Sequence, residues 1–503
     1  MKVTNKSNAA CKIDCEAILM RSVQKPPSQT NPQPVAITPS IAMAKGLLLT
    51  ATFLIVASQL LIRCEGQTRR SQPRELTDVS IDNVENIQAH SSSEREKISH
   101  AFKEDSKEIL RHRDIVRLNR VSPIQVHDVI FVVKQRNMDE LLRILEDVSD
   151  FTSPNYGKHM TSEEIADLTS NPNSRNKIVE YLEMAGASVV GESLYGEYIT
   201  ASASVSVWEH MLNTEFYTYA VLPADREEVN YRIEDDKSVK HYIRTDKYSV
   251  PTFLDEHIES VMNTIQLPPM QQRKQAPRVL SKDEARSHAQ SRFSTEAISS
   301  QVRGYIYPAY FNYIYNIDSN VGHPRATQAV FASYGQHYSP SDLRKFQRTW
   351  GIPDNPINIS LANKTMSVDT CRANIRYCAE GCLDTQWIMA VSQAPTTYYY
   401  TELGLTSEWL TEMANMKNPP LVVSISYGAN EDNVSSGEII AFDTQAMKLG
   451  VMGVTITAST GDDGANYYYS KYGQPCAYVA VFPASSPYVL AIGSTQVFDA
   501  NYV

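Results

Sequence analysis

The 503-residue chain has no histidine beyond His337, no G-x-S-x-G and no long Lys/Arg stripe. Each absence excludes a class of function. Without a basic stripe, and with a formal net charge of -10, it has no electrostatic footprint for nucleic acid. Without the G-x-S-x-G turn it lacks the nucleophile elbow of the α/β-hydrolases. All 11 histidines lie between His90 and His337, so a Ser-His-Asp triad on the later loops would need His323 or His337 to fold back. A hydrolase built on those loops would therefore use a carboxylate where others use histidine as the base.

Cysteine is also sparse. The seven are Cys11, Cys15, Cys64, Cys371, Cys378, Cys382 and Cys476, and none shows the paired C-x2-C spacing of a zinc site. Zinc ligation is therefore the weaker rival to disulfide formation among the last four, which allow three pairings. Of long apolar runs there is one worth reading, "MAKGLLLTATFLIVASQLLIRCEGQ" from Met43 to Gln67, uncharged between Gly46 and Ile62. Its length lies at the border between a signal-peptide core and a short membrane anchor, and a cleaved signal is the favoured reading. Residues 1–42, rich in Pro, Ser, Asn and Lys, read as an unstructured extension, and 43–66 as the signal peptide or anchor. Downstream of the apolar run, three N-x-S/T sequons, at Asn358, Asn363 and Asn433, fit a glycosylated protein of the secretory pathway.

The composition that remains is that of a globular protein with two or three domains, 42% hydrophobic and 21% charged. Residues 67–120 are polar, and "SEREKISHAFKEDSKEILRHRDIVRL" reads as a solvated helical or linker segment. Residues 121–267 interleave strand patterns ("IQVHDVIFVVKQ", "YITASAS") with helix patterns ("NMDELLRILEDVS", "RNKIVEYLEMAG"). Thr161 and Glu164 have capping-box spacing, and the whole predicts an α+β sandwich. Residues 268–300, polar and basic, read as an exposed, cleavable linker. Residues 301–503 change to α/β alternation. "SPSDLRKFQRTWG" is a helix with Ser339 at the cap, Pro340 in the first turn and Gly351 at the exit. "PLVVSISYG", "SSGEIIAFDTQAMKLG" and "VMGVTITAS" make a βαβ unit with parallel strands. Ligand sites in such sheets gather beyond the carboxyl ends of the strands, where two acidic loops, "GANEDN" and "TGDDGA", lie.

One further pair of acids stands on the helix pattern "AEGCLDTQWIMA". Glu380 and Asp384 are four apart, on one helix face, with about 5–6 Å between Cβ atoms. Like charges at that separation hold a shared proton more readily than isolated carboxylates and titrate as a unit. Taken alone, an E-x-x-x-D is ordinarily two solvated surface acids.

The surrounding motifs resemble one family. "SPNYGKHMTSEEIADL", "EGCLDTQW", "VVSISYGANED", "ASTGDDGA" and "FPASSPYVLAIGST" are similar, in order, to motifs of the sedolisins, or serine-carboxyl peptidases, in the texture of their tripeptidyl-peptidase branch. The resemblance covers roughly residues 121–503. It implies an α+β ferredoxin-like activation propeptide over 121–267, followed by a subtilisin-like parallel-sheet α/β peptidase domain. It implies Glu380 as the general base for a serine hydroxyl, Asp384 as its hydrogen-bonded partner and Asp462 as the acid at the oxyanion. It also implies peptide or protein substrates, the chain's own propeptide as intramolecular inhibitor, calcium in a complete member, no stable membrane partner after signal removal, and a lysosomal or secreted location. Two departures stand out. Thr460 replaces a serine in the "STGDDG" turn, and the G-T-S-x-S that carries the family's nucleophile occurs nowhere in the 503 residues. The expectation is therefore a zymogen-type chain, inactive as it stands, with the calcium ligands also beyond it. A truncated pseudo-enzyme serving as a binding or inhibitory module is the alternative. A glycosidase is a third, poorly served by two neighbours on one helix face.

Overall fold

The computed structural model describes residues 98–106, 115–222, 239–267, 307–333, 336–357, 359–360, 371, 378–401, 408–461, 466–467, 477–478 and 480–494. The extension, the apolar run and the linker expectation over 268–300 lie outside these residues. Within 98–503 the chain is one compact unit. Among the described residues no helix is long and apolar enough to cross a membrane.

The N-terminal part opens with strands β1 (His100–Asp105), β2 (Ile115–Arg120) and β3 (Val126–Val133). Helices α1 (Met138–Ser149), α2 (Ser162–Thr169) and α3 (Pro172–Met184) follow, then β4 (Ser188–Glu192), β5 (Tyr198–Ser204) and α4 (Val205–Met211). Strands β6 (Phe216–Val221), β7 (Lys240–Thr245), β8 (Lys247–Pro251) and β9 (Ile258–Met262) complete it. The sheet order β4-β5-β3-β9, antiparallel throughout, is the split βαβ arrangement of a ferredoxin-like domain, as expected. Strand alternation explains why one face is dry. Ile199, Ala201 and Ala203 of β5 point with Val129 and Phe131 of β3 onto Ile178, Leu182 and Trp208 of the helices. Two side sheets, β2-β6-β7 and β1-β8, flank it.

Here one expectation fails. The 67–120 segment is not helical where it is described, because 100–105 is a strand paired antiparallel with 247–251 and 115–120 a strand paired with 216–221. The charge density that suggested a solvated helix is overridden by two open strand edges, which satisfy the backbone of these residues and leave Glu104 buried and Phe102 62% exposed.

The C-terminal part begins with α5 (Pro308–Ile314), β10 (Thr327–Ala332), α6 (Pro340–Trp350) and β11 (Ile359–Ser360). Next come α7 (Ala379–Val391), β12 (Thr396–Thr401), α8 (Glu408–Ala414), β13 (Val422–Ile425) and β14 (Ala429–Asn430). Helix α9 (Ser436–Val451) precedes β15 (Thr455–Ser459), β16 (Asn466–Tyr467), β17 (Ala477–Tyr478), β18 (Val481–Phe482) and β19 (Leu490–Ile492). Six strands form a wholly parallel sheet ordered β11-β12-β10-β13-β15-β19. The chain order reverses at β10, so the crevice at the carboxyl ends of β10 and β13 is the expected ligand position. β10 is buried almost end to end, as a central parallel strand with helices on both faces must be. On one face Phe331, Val423, Ile425 and Ile456 pack under Trp409, Met413, Phe442 and Leu449; on the other, Val330, Ala332 and Tyr399 meet Tyr338 and Ile388.

Helix α9 joins the two parts. It is buried on most of its circumference, Glu438, Gln445 and Lys448 included, as a helix covered on both sides must be. One side covers the parallel sheet through Phe442, Ala446 and Leu449, and the other packs on the ferredoxin-like domain through Ala441, Met447 and Val451. Glycines permit the approach: a Cβ on Gly437 would strike Glu104 and Ser260, one on Gly450 would meet Leu145, and one on Gly453 would meet His159. Across the contact Lys448 and Glu197 form an ion pair at 3.0 Å with side chains only 4% and 3% exposed.

Candidate active site

Glu380 and Asp384 both fall on α7, the first in its first turn and the second one turn later, so the one-face placement is realised. The negative charge of Glu380 lies at the positive end of the helix dipole. Three constraints fix the start of this helix. Cys378, at the N-cap, is bridged to Cys371. Cys382 keeps a free thiol, whose sulfur accepts from the Ser339 backbone N–H at 3.3 Å and whose burial pushes the thiol up. Cys476, the fourth candidate, lies outside the described residues.

The third constraint is Gly381. A Cβ there would collide with the His337 carbonyl and the Tyr399 hydroxyl, so only glycine lets α7 lie this close to β12 and the segment before α6. His337 therefore does reach the helix of the carboxylate pair, which its sequence position did not reveal. Its contact with Gly381 is made by the backbone, and burial holds its imidazole below the ordinary histidine range. The Thr385 hydroxyl caps the arrangement by donating to the Gly381 carbonyl at 2.7 Å.

Asp384 faces the end of the parallel sheet. The Ser426 hydroxyl, on the residue that follows β13, donates to Asp384 Oδ1 at 2.8 Å. Two tyrosines complete the surroundings. Tyr399 donates to the Gln336 carbonyl at 3.3 Å, and burial, then the charge of Asp384, push its phenol far up. Tyr427 is pushed up by burial, then by Asp384, Tyr399 and Glu380, so its ring lies in the field of both carboxylates. A pair of acids ringed by buried phenols is not the solvated pair that bare E-x-x-x-D spacing suggests. It can hold, accept and pass one proton at the carboxyl end of the sheet.

The other expected residues are less fully placed. Asp462 lies outside the described residues, but the turn that leads to it is present: β15 ends at Ser459, and Gly461 adopts φ +90°, a conformation that favours glycine. β15 is the neighbour of β13, so that turn leaves the sheet at the same end as Ser426. Asn358 and Asn363 also lie outside. Asn433 is half-buried in a short 3-10 turn, where its carbonyl accepts from Gln266 of the ferredoxin-like domain at 3.3 Å. Among the described residues no group of three His, Cys, Asp or Glu side chains could hold a metal ion, so the expected calcium finds no ligand set among them.

The chain is similar to several known proteins. Residues 113–267 match the Pro-kumamolisin activation domain. Tripeptidyl-peptidase 1 of Rattus norvegicus is 28% identical over 393 residues, covering 76% of this chain and 63% of the relative. Tripeptidyl-peptidase 1 of Homo sapiens is 27% identical over 399 residues with the same coverage, and physarolisin of Physarum polycephalum 26% over 386 residues, covering 73% and 59%. The chain thus spans under two thirds of the length of these relatives. A solved structure of Pseudomonas sedolisin, a serine-carboxyl proteinase complexed with two molecules of pseudo-iodotyrostatin, aligns over 38% of this chain and 54% of that one at 22% identity and a TM-score of 0.32. Residues 113–267 thus carry an activation domain of the pro-kumamolisin type, and over 76% of its length the chain is similar to tripeptidyl-peptidase 1.

Proposed function

We propose that this chain is the propeptide and first portion of the peptidase domain of an acid-acting, tripeptidyl-peptidase-like serine-carboxyl peptidase. The observation that carries the reading is the Glu380–Asp384 pair, held on one face of α7 at the strand-order reversal and tied by Ser426 to the end of β13.

In this reading Glu380 takes the proton of a serine hydroxyl as its oxygen attacks the scissile carbonyl, and Asp384 shares that proton. Asp462, protonated, donates to the oxyanion of the tetrahedral intermediate. Collapse releases the amine with the proton from Glu380 and leaves an acyl-enzyme, which water then hydrolyses by the same steps. A carboxylate base with an ordinary pKa of about 4.3 places the working range in acid. In this reading the attacking hydroxyl belongs to a serine that the 503 residues do not present in a G-T-S-x-S setting.

Residues 121–267 act as propeptide, 268–300 as the cleavable linker and 301–503 as peptidase domain, after a signal over 43–66 directs the chain to the secretory pathway and a lysosomal or secreted destination. The substrates are peptides or proteins, and the propeptide inhibits in cis. A second reading, a binding or inhibitory module, is favoured by the extensive contact of α9 with the ferredoxin-like domain.

The test begins with the transcript beyond codon 503: a downstream G-T-S-x-S supports the first reading, and a stop codon the second. In the protein that carries that serine, Glu380→Ala should abolish cleavage of tripeptide-releasing substrates at acid pH. Full cleavage by Glu380→Ala would overturn the assignment of the base.

A further inference from the structure

The carboxylate pair has a neighbour that the proposed chemistry does not yet use. Ser426 directly follows buried Ile425 at the end of β13, a strand held between β10 and β15. Its hydroxyl is thus delivered from a rigid strand end, and it donates to one named oxygen, Asp384 Oδ1, at 2.8 Å. A carboxyl that passes a proton to a neighbour must keep its two oxygens distinct, one to carry the proton and one to accept. A donor fixed on Oδ1 makes that distinction.

We propose that Ser426 is the positioning residue of the pair: its hydroxyl, fixed on Oδ1, sets the orientation in which Asp384 is held beside Glu380. This deepens the reading of Glu380 as base and rests on it. The other groups gathered around Asp384, Tyr399 and Gly381 do not take this role. From its own helix come Glu380, an acceptor when ionised, and Cys382, a weak donor whose sulfur already accepts from the Ser339 N–H. From β12 comes Tyr399, which gives its proton to the Gln336 carbonyl. From the segment after β13 comes Tyr427, whose hydroxyl has no hydrogen-bond partner among the described residues. From the segment before α6 come His337, engaged with Gly381 through its backbone, and Tyr338, packed on the Tyr399 ring.

A hydroxyl donated to a carboxylate favours its charged form, so its loss should make Asp384 easier to protonate. The 503-residue chain is labelled with 13C at the side-chain carboxyl of aspartate, and Asp384→Asn identifies the Asp384 signal in a pH titration. Ser426→Ala should move the Asp384 midpoint upward by about one pH unit. Ser426→Thr, which keeps the hydroxyl, should restore it, while a merely structural role would be indifferent to that restoration. An unmoved midpoint in Ser426→Ala, or the same displacement in Ser426→Thr, overturns the proposal. Far-ultraviolet circular dichroism checks that both variants fold, and removal of one oxygen leaves little to disturb. Because the titration needs no turnover, it is judged separately from Glu380→Ala. Cleavage that survives Glu380→Ala sinks the base assignment and leaves the Ser426 result standing.

Discussion

Replacing Lys448 with methionine should release the propeptide domain from the rest of the chain. Lys448 and Glu197 meet at 3.0 Å across the α9 contact with almost no exposure, and Ser193 donates to the second Glu197 oxygen at 2.6 Å. Burial raises the Glu197 carboxyl, but attraction to Lys448 and the hydrogen bonds from Ser193 and Lys448 outweigh it, and the net position is below the ordinary glutamate range. At Lys448 burial dominates and holds the ammonium below the ordinary lysine range. The two partners thus differ in which effect wins. The short, fully bonded contact supports an ionised pair near neutrality.

Removing one partner leaves a buried charge uncompensated, at a cost of about 3–5 kcal/mol. With a protease site placed in the 268–300 linker and cut, that is roughly a 10²- to 10⁴-fold weaker association of the two pieces, readable by calorimetry or gel filtration. The double variant Glu197→Leu, Lys448→Met removes both charges and should recover most of the affinity, since apolar replacement of a buried pair is commonly neutral or better. The pH dependence has a definite sign. A depressed glutamate contributes fully above its unfolded value of 4.5 and loses that contribution as pH falls through the folded value below it. Acid should therefore weaken the parent and leave the double variant unaffected in this respect. Equal affinity of Lys448→Met and the parent at neutral pH would refute the reasoning.

Two further outcomes test the same architecture. Glu104, buried where β1 meets the start of α9, is raised above 4.5 by burial, against lowering by bonds to Gly437, Tyr248 and Ser435. Its charged form is penalised, so Glu104→Gln should stabilise the nicked complex at neutral pH, and the advantage should vanish as pH falls through the raised value towards 4.5; destabilisation at neutral pH, measured on the same assay, would contradict this. Gly381→Ala drives a methyl into the His337 carbonyl and Tyr399 hydroxyl and should cost about 1–3 kcal/mol in urea unfolding, with an undiminished midpoint as the contrary result.

Much of the fold was legible because its signals are local. The Thr161–Glu164 capping box forms as its spacing suggested, with both reciprocal bonds present. Ser339, Pro340 and Gly351 start and end α6, and the apolar alternation of β5 marks its buried face. The charges of 100–105 fit a solvated helix face, while the edge that captures this segment as a strand lies about 150 residues away. Glu380 and Asp384 were legible as a pair, but their environment was not. His337 near Gly381, the phenols of Tyr399 and Tyr427, and the Ser426 hydroxyl reach α7 from segments that only the folded sheet brings together.

By itself, then, the sequence determined the elements, their caps, the α/β alternation and the presence of two acids one turn apart, since these depend on residues within a few positions of one another. Tertiary structure decided that Cys371 bonds Cys378, that Glu197 meets Lys448, and that Asp384 is held by Ser426. Those choices depend on which distant surfaces are buried against each other, and on the partner each buried charge must then find.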